Sequence, residues 1–407
     1  MRLVYLTSQY PTGGGETFLS AELDSLQSAG FEVAVAPCRP GGSHSRRSGE
    51  RSLLTAHMLS PRLLIASLCA VLRDPRIIVF AVLLLVSDIR NAHKNILVLP
   101  KGIVVGAECI RMRVHHIHAH WLSTPATVAL LASYVSGVPF SVTAHRGDIV
   151  AKNLLTLKAH RASFIRFISN SGLDLFRSVT PASLQTRFVV VHMGVEVAED
   201  FTHPRALSAA DDFRIACPAN LTAVKGHDYL FGAVAVLRRI GLPVRLDIVG
   251  TGERERELRR LCSSLDISDI VRFCGYQAHN DLLATLASGG YDAVVLPSVD
   301  LGNGLHEGIP VTLMEAMARG VPVISTATGG IPELLQGGYA RMLVEPCNVQ
   351  ALADSIRVLF QSDDLRQELS TLGREIVKRE FNAQLNGVEL ARWIYNTTAS
   401  DLGPASI

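Results

Sequence analysis

Short apolar runs alternate with segments of helical length along most of this chain, and the alternation restarts in the second half. The strands it predicts in the first half are Leu3–Ser8, Glu32–Pro37, His116–Ala119, Phe140–Thr143 and Arg187–Met193. Those in the second half are Arg214–Pro218, Arg245–Val249, Val271–Cys274, Ala293–Pro297 and Val321–Ser325. Because repeated β-α units wind in one hand and give parallel sheets, the pattern predicts an α/β protein with two doubly wound sheets.

A chain of 407 residues also exceeds one ordinary core and suggests two domains. We expect a first domain at 1–197, with a helical apolar segment at about 53–113, and a second at 198–380. Residues 381–407 are expected to form a terminal helix that packs back on the first domain. Ligands of such folds bind at the carboxyl ends of the strands, so the site is expected in a cleft between the domains.

Composition excludes several classes of protein. The net charge of +2 and the 6% aromatic content give no support for nucleic-acid binding. Seven scattered cysteines, an odd number without C-x-x-C, favour free thiols in a reducing cytosol over disulfides or a zinc site. The apolar run at the N-terminus is too short for a signal peptide. We therefore expect a cytoplasmic protein.

The mean hydropathy of +0.26 comes mainly from residues 63–86. Charged residues from Arg73 to Arg76 divide this segment, and neither half reaches the roughly 18 apolar residues that span a bilayer. Two interpretations stay open at this point. The helices are either packed in the core or present an apolar surface to the inner face of the plasma membrane, as a peripheral contact.

The stretch from Gly304 to Thr326 carries the strongest functional signal. It places Glu307 and Glu315 on either side of a loop-to-helix junction, with seven residues between them. Pro310 suits the first helical turn, Gly308 allows close backbone approach, and a glycine at 320 suits the helix stop. A helix N-terminus can hold a phosphate, and carboxylates accept hydrogen bonds from sugar hydroxyls. Together these features predict a pocket for a sugar nucleotide.

A combination of motifs around this stretch resembles one known family. The motifs are Pro297-Ser298, His306-Glu-Gly-Ile-Pro-Val311, Glu315-Ala-Met-Ala318, Gly320-Val-Pro-Val-Ile-Ser-Thr326 and Gly329-Gly-Ile-Pro-Glu-Leu-Leu335. The chain resembles glycosyltransferase family 4, especially the bacterial exopolysaccharide and colanic-acid enzymes. The resemblance covers nearly the whole chain and is strongest from 225 to 335. It implies the GT-B fold of two facing Rossmann-like domains.

The resemblance also implies roles for residues of the second domain. Glu307 would contact the donor sugar and stabilise charge at its anomeric carbon, and Glu315 would bind the ribose. Lys225 would meet the diphosphate, and Asn220 stands where many relatives carry an arginine. The remaining donor-binding residues would be Gly250 in the turn after a strand, and Gly308, Ile309, Pro310 and Val311 at the start of the helix. The chain has no D-x-D, which agrees with a family that uses side chains rather than a metal.

Residues of the first domain complete the expected site. Gly14 and Gly15 resemble a donor-side loop and Glu16 would face the acceptor, although a plain turn is the alternative. His145 resembles a family histidine beside the donor sugar. Arg146 and Asp148 would lie on the acceptor side, with helix capping as the alternative for Asp148.

Alternating histidines lead into this region. The run His115-His-Ile-His-Ala-His120 places every second side chain on one face of a strand, with His120 nearest the cleft on the acceptor side. No carboxylate or cysteine is close in sequence, so a structural or cleft-lining role is favoured over metal binding.

The resemblance implies a retaining, metal-independent enzyme that moves a sugar, of the hexosyl class, from a nucleoside diphosphate sugar to an acceptor hydroxyl. We expect no cofactor and a lipid-linked oligosaccharide acceptor in surface polysaccharide biosynthesis. A small-molecule acceptor such as an aminocyclitol is the alternative. An inactive sugar-nucleotide-binding protein and a GT-B epimerase are alternatives of other classes. A dehydrogenase is disfavoured because position 255, where its fingerprint needs a third glycine, is glutamate.

Overall fold

The chain forms two α/β units, each with its own core. The computed structural model describes residues 1–10, 17–40, 53–197, 201–302 and 304–401. Unit 1 contains residues 1–192 together with the C-terminal segment from 384, and unit 2 contains Met193–Ala383. The first division falls five residues before the one expected from the sequence.

Unit 1 is built on a parallel sheet. Within the described ranges its strands are β1 (Arg2–Tyr10), β2 (Glu32–Pro40), β3 (His116–His120), β4 (Phe140–Ala144), β5 (Phe164–Phe167) and β6 (Arg187–Val190). Their order in the sheet is β2-β1-β3-β4-β5-β6. The direction of winding therefore reverses between β1 and β3, and a crevice opens at the carboxyl ends of strands at such a point.

Helices cover this sheet. They are α1 (Thr17–Ser28), α2 (Pro61–Arg73), α3 (Arg76–Ser87), α4 (Ala92–Met112), α5 (Thr124–Ser136), α6 (Arg146–Ala151), α7 (Leu155–Arg161) and α8 (Asn170–Val179). The apolar segment expected to be helical is thus α2 to α4. The Ser60 hydroxyl caps α2, and Asp74-Pro75 separates α2 from α3. Among the described residues, no helix combines the length and apolar character needed to cross a membrane.

Unit 2 has a second parallel sheet. Its strands are β7 (Phe213–Pro218), β8 (Val244–Val249), β9 (Val271–Gly275), β10 (Ala293–Leu296), β11 (Val323–Thr326) and β12 (Leu343–Val344). They lie in the order β12-β11-β10-β7-β8-β9. Numbered along the unit and counted from β9, this is the 3-2-1-4-5-6 order of a nucleotide-binding Rossmann sheet, which reverses between β7 and β10.

The helices of unit 2 fill both faces of its sheet. They are α9 (His227–Arg239), α10 (Glu255–Ser264), α11 (His279–Ala287), α12 (Val311–Ala318), α13 (Ile331–Leu334), α14 (Val349–Gln361) and α15 (Asp363–Glu380). Pro310 is the residue before α12 and has extended backbone (φ −68°, ψ 122°), so it precedes the first turn rather than lying in it. Gly320 has φ 76° and stops the helix as predicted.

The last helix, α16 (Ala383–Asp401), belongs to unit 1. The Trp393 ring packs against Phe164 of β5, and the Thr398 hydroxyl lies 3.3 Å from His116 Nδ1. Leu390 and Ile394 are fully buried in a cluster with Leu3 and Tyr5 of β1. The helix therefore supplies part of the core of the first unit, as its apolar anchors indicated.

Candidate active site

Two glycines allow close backbone contact between the loops that follow β7, β10 and β11 in unit 2. Gly226 has φ 66°, and a Cβ there would lie 1.9 Å from the carbonyl oxygen of Pro297. Gly329 has φ 56°, and a Cβ there would lie 1.9 Å from the carbonyl oxygen of Glu307. Any side chain at either position would overlap backbone. The loop after β7 is thus pressed against the loop after β10, which in turn is pressed against the loop after β11.

This packing brings two predicted site residues together. Lys225 follows β7 and Glu307 follows β10, so they lie on the two sides of the point where the strand order reverses. The distance from Lys225 Nζ to Glu307 Oε1 is 2.5 Å, and the side chains are 20% and 14% exposed. The sequence predicted that both would face the donor, but not that they would pair with each other. A phosphate approaching the ammonium would have to compete with this carboxylate.

Glu315 lies in α12 and is buried. Its Oε1 atom is 2.6 Å from Nε2 of His279, the first residue of α11. The imidazole is 30% exposed, whereas the carboxylate side chain is 8% exposed. Sequence reasoning missed His279, because nothing in the chain marks a partner 36 residues before Glu315. One oxygen of the Glu315 carboxylate is therefore bonded to the partly exposed imidazole of His279.

The start of α12 has features expected of an anion site. The residue that precedes the helix, Pro310, forms no side-chain cap. The Thr312 hydroxyl in the first turn is buried and has no hydrogen-bond partner among the described residues. A Cβ on Gly308 would meet no atom within 4 Å, so the backbone there is open to a ligand. Free amides and an unpartnered hydroxyl suit the oxygens of a phosphate.

The other predicted donor residues of unit 2 surround these groups. Asn220 lies exposed in the loop after β7, and Gly250 follows β8 with φ 144°. Ile309 and Val311 pack against the core of the unit. The donor roles of all these residues stay predictions, since the structure gives their positions and not their ligands.

Unit 1 holds a buried charged cluster that joins α1 to strands β1, β3 and β5. Glu22 of α1 is 4% exposed and accepts hydrogen bonds from the Tyr5 hydroxyl and from the Arg166 guanidinium. Arg166 Nε also donates to the carbonyl oxygen of Val191, at 2.8 Å. Burial alone would raise the pKa of Glu22, but Arg166 and a hydrogen bond with His120 hold it well below its usual range. The carboxylate is therefore ionised at neutral pH.

His120 links this cluster to His145. Its Nδ1 atom lies 2.7 Å from the Tyr5 hydroxyl, and its Nε2 atom lies 2.8 Å from His145 Nε2. The ring of Trp121 stacks on His145 with centroids 3.9 Å apart. Burial lowers the pKa of His145 well below its ordinary value, so this imidazole is neutral. One of the two facing nitrogens must then donate and the other accept.

Asp148 is bonded to backbone. Its Oδ2 atom accepts the N–H of Leu122 at 3.0 Å and the N–H of His145 at 3.2 Å, and burial raises its pKa. Asp148 is therefore not the N-cap residue of α6, which is His145. It is the third residue of the helix and its side chain caps the helix start by accepting the His145 N–H. Arg146 is the half-buried first residue of the same helix. The acceptor-side roles of Asp148, Arg146 and the fully buried His120 stay predictions.

The histidine run corrects one inference from the sequence. Although no carboxylate is near the run in the chain, the fold brings Glu22 to it, so that Glu22, His118 and His120 offer ligand atoms within 4.8 Å of one another. However, His118 is hydrogen-bonded at both nitrogens, to Ser141 Oγ at 2.8 Å and Thr143 Oγ1 at 2.9 Å. A metal here would have to displace those bonds.

Three predicted residues of unit 1 fall in a part of the chain that the structure does not describe. They are Gly14, Gly15 and Glu16. The contributions expected of them stay predictions.

Comparisons with known proteins find several glycosyltransferases that resemble this chain. The family profile "Glycosyl transferases group 1" matches residues 199–376. WcaL of Salmonella typhimurium, named as a colanic acid biosynthesis glycosyltransferase, is 35% identical over 206 residues, which is half of this chain and half of that protein. AmsK of Erwinia amylovora, named an amylovoran biosynthesis glycosyltransferase, is 26% identical over 96% of this chain and 98% of its own length.

A solved structure supports the fold. The crystal structure of Anabaena Alr3699/HepE in complex with UDP aligns with a TM-score of 0.66 at 18% identity, over 97% of this chain and 100% of that one. At this identity the likeness concerns the fold alone, and it confirms the predicted GT-B class. The chain thus contains a domain at residues 199–376 that matches the group 1 glycosyltransferases, and the relatives that align with the chain are named as glycosyltransferases.

Proposed function

We propose that this chain transfers a sugar from a nucleoside diphosphate sugar to an acceptor hydroxyl during assembly of a bacterial surface polysaccharide. The observation that carries the proposal is the Lys225–Glu307 pair, 2.5 Å apart where the Rossmann sheet of unit 2 reverses. It puts a cation for the diphosphate beside a carboxylate for the sugar. The uncapped start of α12 and the buried Glu315 add partners for phosphate and ribose.

Electrostatics give these groups a catalytic use. As the glycosidic bond of the donor breaks, negative charge grows on the diphosphate and positive charge grows at the anomeric carbon. Lys225 and the amides of α12 would stabilise the first, and Glu307 would stabilise the second. In a retaining reaction the leaving phosphate can take the acceptor proton, so no protein base is required. We therefore propose retention and no metal.

Relatives support the biological setting. The names of WcaL and AmsK refer to colanic acid and amylovoran biosynthesis, and AmsK aligns over nearly the full length of both chains. Both names describe the assembly of extracellular polysaccharide. We extend this setting to the present chain, with a growing lipid-linked oligosaccharide as the acceptor.

An apolar surface in unit 1 supports a lipid-linked acceptor. Six large apolar side chains of α2 and α3 are 52–73% exposed, and we call them the apolar face: Ile65, Leu68, Leu72, Val79, Val82 and Val86. A stable water-soluble surface rarely carries so many exposed apolar side chains on two adjacent helices.

Positive charge surrounds the apolar face. From residue 61 to residue 94 there are five lysines and arginines, namely Arg62, Arg73, Arg76, Arg90 and Lys94. The segment has only two carboxylates, Asp74 and Asp88. Apolar side chains flanked by cations suit the interface of an anionic bilayer. We propose a peripheral contact of this face with the cytoplasmic leaflet.

The activity is tested by incubating the chain with UDP- and GDP-sugars and a lipid-linked acceptor, and by identifying products by mass spectrometry. We expect a glycosylated acceptor that still forms in excess EDTA. Glu307→Gln keeps a hydrogen-bonding side chain beside Lys225 but loses the charge, and should lower turnover roughly 100-fold or more. Donor binding without transfer would instead support an inactive sugar-nucleotide-binding protein. Full activity of Glu307→Gln would contradict its role.

Membrane contact is tested separately, by flotation with vesicles of phosphatidylglycerol and phosphatidylcholine. The double variant Leu68→Ser and Val79→Ser should float much less than the unaltered chain, with an unchanged melting temperature. Val358→Ser is the matched control, because Val358 is an exposed apolar residue (41%) on α14 of unit 2 and is not part of the apolar face. Equal flotation of all variants would remove the support for a lipid-linked acceptor and leave the small-molecule acceptor.

A further inference from the structure

A groove in unit 1 lies outside the site described so far. It has a volume of about 640 Å³ and is bordered by the C-terminal end of α3, the turn after it, and the turn that joins α6 to α7. Its lining includes Asp88, Arg90, Lys152 and His160. We call this cavity the basic groove.

Its charges are unequal. The lining contains three basic side chains, Arg90, Lys152 and His160. Within the described part of the chain, neither Arg90 nor Lys152 forms an ion pair. The lining carboxylate, Asp88, is used for structure. Its oxygens accept the N–H of Leu154 at 3.0 Å and the Asn91 side-chain amide at 2.9 Å. Asp88 thereby ties the two turns together, and the cations are left to face a ligand.

The same groove has apolar walls. Val150, Leu157 and Val179 line it beside the charged groups. It also borders the apolar face, since Ser87 in its lining directly follows Val86, and Ile89 next to Asp88 is 79% exposed. A ligand that fits this surface has a compact anionic group attached to a hydrocarbon chain.

Helix α6 connects the groove to the candidate site. It begins directly after His145, and Val150 and Ala151 at its other end line the groove. Six helical residues at 1.5 Å each separate the two places by about 9 Å. A diphosphate in the groove would therefore lie one short helix away from His145.

We propose that the basic groove binds the diphosphate of a lipid-linked acceptor, with Arg90 and Lys152 as its phosphate ligands and the lipid chain directed along the apolar face. The proposal rests on the proposed function, because it specifies the acceptor of that reaction. It goes further by assigning the acceptor a site in unit 1 and two residues that hold it.

The test measures binding without catalysis, by calorimetry on the full chain with no donor present. The probes are farnesyl diphosphate, inorganic pyrophosphate and farnesol. We expect farnesyl diphosphate to bind at least about tenfold more tightly than either of the others, because the groove offers cations and apolar walls. Pyrophosphate that bound as tightly as farnesyl diphosphate would mean a site for a free anion and would overturn the lipid assignment.

Variants then locate the binding. Arg90→Ala and Lys152→Asn should each weaken farnesyl diphosphate binding roughly tenfold, since each removes a charge-assisted contact. Asparagine suits position 152, where φ is 51°. The matched controls Arg260→Ala and Lys378→Asn remove exposed charges of unit 2 and should bind normally. Unaltered binding by both groove variants would overturn the proposal.

The two proposals can fail separately. If the chain binds farnesyl diphosphate through Arg90 and Lys152 but transfers no sugar from any donor, the groove is supported and the activity is refuted. If the chain transfers sugar to a lipid-linked acceptor and both groove variants keep the same KM for it, the activity is supported and the groove is refuted.

Discussion

The charged groups of the two units differ in their exposure to solvent. In unit 2, Lys225 and Glu307 form an ion pair that is partly open to solvent, on loops pressed together by glycines. In unit 1, Glu22, Arg166 and His120 are almost completely excluded from solvent and bonded to one another. A partly exposed pair can exchange one partner for a ligand at modest cost, whereas a buried cluster cannot.

This difference in solvent exposure suggests that the charged groups of unit 2 bind a ligand and those of unit 1 position other side chains. We propose that the partly exposed groups of unit 2 meet a ligand directly. Those of unit 1 hold His120, and through it the neutral His145, in one orientation. Changes in unit 1 should therefore act first on stability, and changes in unit 2 on ligand affinity.

The largest expected effect is on the stability of unit 1. Glu22→Ala leaves Arg166 buried without its carboxylate, which should lower the free energy of unfolding by about 3–5 kcal/mol. Tryptophan fluorescence during urea unfolding measures this cleanly, because both tryptophans, Trp121 and Trp393, belong to unit 1. Tyr5→Phe removes one hydrogen bond and keeps the ion pair, so it should cost less. If both variants unfolded like the unaltered chain, the cluster would not stabilise the unit.

A smaller effect is expected on ligand affinity in unit 2. Lys225→Ala should weaken the binding of UDP or GDP, whichever the unaltered chain binds, by about 1.5–3 kcal/mol, the usual worth of a charged hydrogen bond. Calorimetry measures this change, and tryptophan fluorescence should show unit 1 unaltered. Lys378→Ala, an exposed lysine on α15, is the control. Equal nucleotide affinity in both variants would remove Lys225 from the phosphate site.

Acid should destabilise unit 1 by about 2 kcal/mol through His116 alone. Burial lowers the pKa of His116 to about 3, so the unfolded chain takes up a proton below its ordinary pKa of about 6.5 while the folded chain does not. Stability is therefore lost as the pH falls from 6.5, by about 2 kcal/mol at pH 5. The lowered pKa values of His118 and His145 act in the same direction, and the raised pKa of Asp148 opposes them.

A variant isolates this contribution. The unfolding free energy of His116→Asn should fall less between pH 7 and pH 5 than that of the unaltered chain, as followed by tryptophan fluorescence. An identical pH dependence in both proteins would show that His116 gains a proton in the folded state.

The smallest expected effect concerns His279. His279→Ala leaves Glu315 one hydrogen bond short, but the imidazole is partly exposed and water can replace it. We expect nucleoside diphosphate affinity to fall by about 1 kcal/mol or less. Glu315→Ala should cost more, since it removes the carboxylate itself. If His279→Ala lost more affinity than Glu315→Ala, the imidazole rather than the carboxylate would be the ligand.

Much of the fold and one part of the site followed from local patterns. The alternation of strands and helices, the helix after Pro310 and its stop at Gly320 depend on neighbouring residues, and all were predicted. Strands β5 and β12 were not, because the charged Arg166 interrupts the apolar run of β5 and β12 is only two residues long. Short apolar runs cannot be assigned from periodicity alone.

The buried cluster could not be predicted, because it depends on the order of the strands in space. Tyr5, His120 and Arg166 come from β1, β3 and β5, which the sheet order brings near one another, and α1 adds Glu22. No local pattern links positions so far apart. The contact between Lys225 and Glu307 was missed for the same reason, although each residue was recognised through its motif.

The position of α16 has a consequence for the way the chain is made. Synthesis proceeds from the N-terminus, and domains tend to fold as they emerge. When residue 383 has been added, unit 2 has its complete sequence, but unit 1 still lacks Leu390 and Ile394 from its core. Synthesis of unit 1 therefore begins before that of unit 2 and ends after it. Until α16 has been made, the part of the unit 1 core that Leu390 and Ile394 complete stays uncovered in the nascent chain.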